Sequence, residues 1–121
     1  MQSIPIQFVP FAFVCIFIAL DVISGIVRAC ALHEVSSTRM REGLWHKCAT
    51  LLLVLTAFVM SNALSMYEII PFDCAYVYDG ICVYVIGMEL TSILENVCTA
   101  NPELSIAKVF KLFNIEKKGD E

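Results

Sequence analysis

The sequence has 121 residues, of which 59% are hydrophobic and 17% are charged. Soluble domains are about 45–50% apolar and about 25% charged, so this composition favours an integral membrane protein over a soluble fold. The net charge is −4, and the sequence contains no basic patch, so a nucleic-acid partner is not expected. Three membrane-crossing helices of roughly 20 residues each would occupy half of the chain, which leaves no room for a separate catalytic domain.

The first apolar segment predicts a transmembrane helix over about residues 8–27. The first 20 positions contain no charged side chain, and 20 helical residues cover roughly 30 Å, the thickness of the hydrocarbon core of a bilayer. The charged segment 28–47 follows, and we expect it to lie at the membrane surface. Its polar cluster Ser36-Ser37-Thr38 offers an N-cap for a helix that starts in the second half of this segment.

Two further apolar segments predict transmembrane helices over about residues 48–67 and 75–94. The segment 48–67 contains no charged residue and is the clearest of the three predicted spans. The third includes Asp79 and Glu89, so a re-entrant or interfacial segment is the alternative. Charge placement favours three crossings, because the positive-inside rule puts both the basic first loop and the lysine-containing tail in the cytoplasm. The N-terminus is then expected outside.

The composition becomes more polar after Asn96, so we expect a membrane domain over 1–96 and a cytoplasmic segment over 97–121. Asn101-Pro102-Glu103 has the pattern of an N-cap, a first-turn proline and an acidic first turn. The helix that would follow has one apolar face flanked by lysines, formed by Ile106, Val109, Phe110 and Phe113 with Lys108 and Lys111 beside them. Such a helix lies on a membrane surface. The predicted fold is an all-α integral membrane protein with about three transmembrane helices plus this C-terminal amphipathic helix.

A polar stripe is predicted along the first transmembrane helix. Asp21, Ser24, Gly25 and Arg28 are spaced i, i+3, i+4 and i+7, so they share one helix face. A carboxylate near the bilayer centre costs roughly 2.5–3.5 kcal/mol, so Asp21 needs a partner, a wet surface or a proton. Two interpretations stay open: the stripe lines a water-filled lesion or pairs with a neighbouring subunit, or Asp21 reaches water from near the helix end.

The third predicted helix has a polar face of its own. Glu89, Ser92 and Asn96 are spaced i, i+3 and i+7 near its cytoplasmic end. Two interpretations also stay open for this face: it lines a lesion, or it is an ordinary interfacial helix end.

Small residues recur along the second predicted helix. Ala57, Ser61 and Ser65 are spaced every four residues, and Asn62 lies beside them. Small side chains allow helix backbones to approach and to hydrogen-bond in a membrane. This strip fits either self-association or packing among the three helices of one chain.

The sequence contains no pattern typical of an enzyme, a metal site or a cofactor site. His33 and His46 lack the spacing and the acidic neighbours of a metal site. The six cysteines show no C-x-x-C spacing, and only Cys74 and Cys82 are placed so that they could pair. Neither a nucleophile motif nor a Walker-type loop occurs. We therefore expect a protein that is not an enzyme and that needs neither a metal nor a cofactor.

Three segments carry a family resemblance. Leu20–Ala29 matches the pattern L-D-x-x-[ST]-G-x-x-[KR]-A, and Glu89–Asn96 matches E-L-x-S-I-x-E-N. Between them, Ser36-Ser37 followed by Arg41–Leu44 and Lys47 matches S-S…R-x-G-L…K. In this order and spacing, the segments resemble the phage holin family of the toxin-secretion and phage-lysis type over about residues 8–113. One departure is Val97–Pro102, where the family often has a turn with glycine and proline.

The resemblance implies a holin. Such a protein would form homo-oligomers among the lipids of the bacterial cytoplasmic membrane, assemble into lesions that collapse the membrane potential, and let endolysin reach the cell wall. Endolysin would be a functional partner without direct contact. Two alternatives stay open: a holin-like exporter of a large toxin or enzyme without lysis, and a structural subunit or anchor of a membrane complex.

Overall fold

A computed structural model describes residues 8–67 and 74–104, together with Lys108 and Lys111. In these residues the chain forms three α-helices and no strand: α1 (Phe8–Ala31), α2 (Ser37–Tyr67) and α3 (Ala75–Ala100). Each helix is long and apolar enough to cross a membrane. The prediction of an all-α membrane protein with three helices of spanning length is therefore confirmed.

A tight turn joins α1 to α2. The backbone N–H of Glu34 donates to the carbonyl of Ala29 at 2.9 Å, and that of His33 donates to Cys30 at 3.3 Å. This pair of bonds is the Schellman arrangement that closes a helix C-terminus, and His33 adopts its left-handed conformation with φ 53°. Ser36 then caps α2, because its Oγ accepts from the backbone N–H of Arg39 at 3.5 Å.

The three helices form a bundle in which α1 packs most extensively against α3, and α1 and α2 pack together least. A column of apolar side chains fills the interior, formed by Val14, Ile18, Val54, Ala57, Tyr78, Cys82 and Val85. Many large apolar side chains on the outer faces of all three helices are exposed. A bilayer would surround these faces with hydrocarbon, in which helices satisfy their own backbone groups. The six cysteines all lie in the described ranges and none forms a disulfide.

The C-terminal amphipathic helix falls largely outside the described residues, and its predicted apolar face does so entirely. The structure does describe the start of this segment, where Oδ1 of Asn101 accepts from the backbone N–H of Glu103 at 3.2 Å. This is the bond that an N-cap residue makes. Lys108 and Lys111 have helical backbone and are exposed. The surface helix itself stays a prediction.

Candidate functional site

Three ionisable side chains, one from each helix, meet inside the bundle. Nζ of Lys47 on α2 lies 2.5 Å from Oδ2 of Asp21 on α1 and 2.5 Å from Oε2 of Glu89 on α3. Asp21 is 6% exposed and Glu89 is 3% exposed. We call this group the Asp21–Lys47–Glu89 network. It joins all three helices at one level of the bundle.

Asn96 on α3 extends the network towards the end of α1. Its Nδ2 donates to Oδ1 of Asp21 at 3.2 Å and to Oγ of Ser24 at 3.1 Å, and its Oδ1 accepts from Nη1 of Arg28 at 3.4 Å. The Ser24 hydroxyl donates to the backbone carbonyl of Asp21 at 2.9 Å. The Asn96 amide packs against α1 at Gly25, which has no side chain. A Cβ added at Gly25 would lie 3.7 Å from Nδ2 of Asn96.

The two predicted polar faces therefore pack against each other. Asp21, Ser24 and Arg28 of α1 bond to groups of α2 or α3, and Gly25 lies under Asn96. On α3, Glu89 and Asn96 both reach this network, and half-buried Ser92 interacts with the Asp21 carboxylate. In the single chain these seven residues form one interhelical contact. Their role as the lining of a lesion stays a prediction.

The network explains how carboxylates lie within apolar helices. Burying an unpaired ion in an apolar medium is costly, whereas a charge that is paired and hydrogen-bonded can be accommodated. Among the described residues, every buried side-chain nitrogen and oxygen has a hydrogen-bond partner. From the sequence, Asp21 needed a partner, a wet surface or a proton. The structure supplies a partner from the same chain, Lys47.

A hydrocarbon core that begins at Phe8 would enclose the network. Thirteen helical residues, Phe8–Leu20, precede Asp21 and cover roughly 20 Å. With Phe8 at one edge of a hydrocarbon core of roughly 30 Å, Asp21 lies roughly 10 Å from the other edge. Arg28 is seven residues, or roughly 10 Å, further along α1 and thus reaches that second edge.

Lys47 belongs to the family pattern S-S…R-x-G-L…K, but it was not predicted to lie with the polar residues of the site. It ends the charged segment 28–47 that was expected at the membrane surface, although it is the eleventh residue of a continuous α2. The sequence does contain a signal, because Lys47, Val54 and Ser61 are spaced seven residues apart and share a helix face. Val54 and Ser61 are both buried, so Lys47 lies on the inner face of α2.

The strip of small residues on α2 divides between the interior and the surface of the bundle. Ala57 and Ser61 are buried against the other helices of the same chain, whereas Ser65 is exposed. Asn62 is half-buried and its Nδ2 donates to the carbonyl of Phe58 at 2.8 Å. Part of the strip thus serves packing within one chain. Self-association through it stays a prediction.

These observations define the chain as an α-helical multi-pass membrane protein whose helices are joined by a buried ion network. Residues 8–114 match a family model described as the bacteriophage holin family. Because the match covers most of the chain, the protein belongs to the bacteriophage holin family, and the resemblance seen in its three sequence segments is confirmed. A search of curated proteins and a search of solved structures found no match.

Proposed function

We propose that this protein is a phage holin that oligomerises in the bacterial cytoplasmic membrane and forms lesions, which depolarise the membrane and release endolysin to the cell wall. The observation that carries the proposal is that a member of the holin family keeps charged groups of three helices buried against one another. A holin must be harmless in one state and open the membrane in another. A bundle with a hidden polar interior provides the first state.

The second state follows from the same residues. If the helices separate, Asp21, Lys47 and Glu89 lose one another as partners and require water or equivalent groups of neighbouring subunits. Subunits that meet through their opened polar faces would surround water, while their apolar outer faces remain in lipid. Such an equilibrium between closed and opened bundles is biased towards assembly as subunit concentration rises.

The proposed orientation places the N-terminus outside and the C-terminus in the cytoplasm, with residues 1–96 as the membrane domain and 97–121 as a cytoplasmic segment. Three spanning helices put the α1–α2 turn and the end of α3 on one side of the membrane. In this proposal Arg39, Arg41, Lys108 and Lys111 lie on that side, and all four are exposed. The positive-inside rule assigns it to the cytoplasm.

The test is the membrane potential of bacteria in which expression is induced, followed with a potential-sensitive dye. We expect an abrupt depolarisation after a lag with the wild type, and a shifted onset with Asp21→Asn. Asp79→Asn is the matched control, because Asp79 is exposed on α3 and lies outside the network. An intact potential at high membrane levels of the wild type would contradict the proposal, and an unchanged onset in Asp21→Asn would remove Asp21 from the mechanism.

A co-expressed muralytic enzyme separates the holin from its alternatives. Lysis that requires both proteins is the result expected of a holin. Release of a large protein from cells that keep their potential would instead identify an exporter. Stoichiometric co-purification with a non-identical partner, without depolarisation, would identify a structural subunit.

A further inference from the structure

A cleft of about 630 Å³ opens between α1 and the N-terminal part of α2. These two helices pack together least in the bundle, which leaves a wedge between them at the end that carries the α1–α2 turn. Its apolar wall is formed by Val22, Ile26, Leu32, Met40 and Leu44. All of these except Val22 are exposed in the single chain, so the cleft opens sideways to the surrounding lipid.

The rim of the cleft is basic. Arg28, Arg39 and Arg41 line it, and among the described residues neither Arg28 nor Arg41 forms an ion pair. Glu34 also lines the cleft, but it pairs with Arg39, because Oε2 of Glu34 lies 3.9 Å from Nη1 of Arg39. The other acidic lining residue, Asp21, is paired with Lys47. The rim therefore carries positive charge that no carboxylate of the described chain neutralises.

The basic rim and the apolar wall lie at the depths of two different parts of a lipid. If the hydrocarbon core begins at Phe8, Arg28 lies at its far edge, next to the level of the lipid phosphates. Val22 and Ile26 lie between Arg28 and Asp21 along the same helix, at the depth of acyl chains. A single ligand with an anionic head and an apolar tail would complement both the basic rim and the apolar wall.

We propose that this cleft binds an anionic phospholipid, with its phosphate on the rim arginines and an acyl chain along Val22, Ile26 and Leu44. A guanidinium binds phosphate with two parallel hydrogen bonds, and basic pockets between membrane helices are suited to anionic headgroups. A zwitterionic lipid would also bring a cation towards the arginines, so charge complementarity selects the anionic class. The proposal does not depend on lesion formation.

The test is native mass spectrometry of the full-length protein in a mild nonionic detergent, with phosphatidylglycerol and phosphatidylcholine of the same acyl chains. We expect preferential binding of phosphatidylglycerol. The double variant Arg28→Gln/Arg41→Gln should weaken that binding roughly 30-fold, which corresponds to about 1 kcal/mol for each cation. Lys108→Gln/Lys111→Gln removes the same charge outside the cleft, and we expect it to change the affinity less than threefold, about 0.6 kcal/mol.

A second variant blocks the cleft without changing its charge. Gly43 lines the cleft, and a Cβ at this position would meet nothing within 4 Å, so Gly43→Leu places a side chain into the open space. Gly87→Leu is its matched control, because Gly87 is a helical glycine of α3 with nothing within 4 Å and lies outside the cleft. We expect loss of phosphatidylglycerol from the first variant and retention by the second.

Three results would overturn the proposal. The first is equal binding of phosphatidylglycerol and phosphatidylcholine. The second is an equal effect of the arginine and lysine variants, or of the two glycine variants, which would place bound lipid elsewhere on the bundle. The third is displacement of phosphatidylglycerol by inorganic phosphate alone, which would identify a site for free phosphate rather than for a lipid.

Discussion

The ammonium of Lys47 on α2 lies 2.5 Å from a carboxylate oxygen of Asp21 on α1, inside a bundle of three helices that are each long and apolar enough to cross a membrane. Glu89 of α3 lies equally close to the same nitrogen. Lys47 is therefore the group through which all three helices are joined. The side chain of Lys47 is 20% exposed, whereas those of its two partners are almost fully enclosed.

Replacing Lys47 with methionine is expected to destabilise the bundle by about 3–5 kcal/mol. Methionine has a similar length, but it leaves Asp21 and Glu89 buried without the cation that they share. The measurement is the midpoint of unfolding in a graded mixture of SDS and mild detergent, followed by helical circular dichroism. Lys111→Met, the same change at an exposed position, should alter the free energy of unfolding by less than about 0.5 kcal/mol.

The same measurement on a triple variant separates lost charge pairing from lost packing. Adding Asp21→Asn and Glu89→Gln to Lys47→Met removes the unpaired carboxylates, so we expect most of the lost stability to return. A Lys47→Met protein as stable as the wild type would show that the ion network does not hold the helices together.

Asn96→Ala is expected to lower the free energy of unfolding by about 1–2 kcal/mol, because it weakens the contact between α1 and α3. The variant removes three hydrogen bonds between these helices, and such bonds average about 0.6 kcal/mol each in membrane proteins. The control is Thr91→Ala, because the Thr91 hydroxyl bonds within its own helix, to the carbonyl of Gly87 at 2.9 Å. Equal midpoints for the two variants would contradict a joining role for Asn96.

Ala57→Leu is expected to destabilise the monomer by about 1–3 kcal/mol, because the larger side chain must enter a filled interior. Ser65→Leu, on the same strip but exposed, should leave the unfolding midpoint unchanged. Chemical cross-linking in membranes then reports on subunit contacts separately from folding. A Ser65→Leu protein that unfolds as easily as Ala57→Leu would contradict the packing of Ala57 in the interior and Ser65 on the surface.

The orientation of the chain can be checked with reporters fused to its C-terminus. We expect a fluorescent protein to be active there and alkaline phosphatase to be inactive, because the former requires the cytoplasm and the latter the outside. Arg39→Gln/Arg41→Gln should lower the fraction of correctly oriented protein, since it removes cations that the positive-inside rule counts. Active phosphatase on the wild-type chain would reverse the proposed topology.

Local patterns in the sequence were sufficient for most of the fold. Long apolar runs identified two helices of spanning length, because hydrocarbon thickness sets the number of residues that a span requires. Charge placement and the resemblance of Glu89–Asn96 to the family pattern supplied the third. Helical periodicity placed Asp21 with Ser24 and Arg28, and Glu89 with Asn96, because residues three, four and seven apart share a face. Three short segments were enough to indicate the holin family, which the family model confirms.

Only the tertiary structure showed that the two polar faces meet each other and that Lys47 completes them. Periodicity determines which residues share a face of one helix, but it does not determine which helix lies opposite that face. Asp21, Lys47 and Glu89 are far apart along the chain, and their contact depends on how α1, α2 and α3 are rotated and shifted against one another. Packing of the whole bundle sets that rotation, so a charge that the sequence placed at the membrane surface became the centre of a buried ion network.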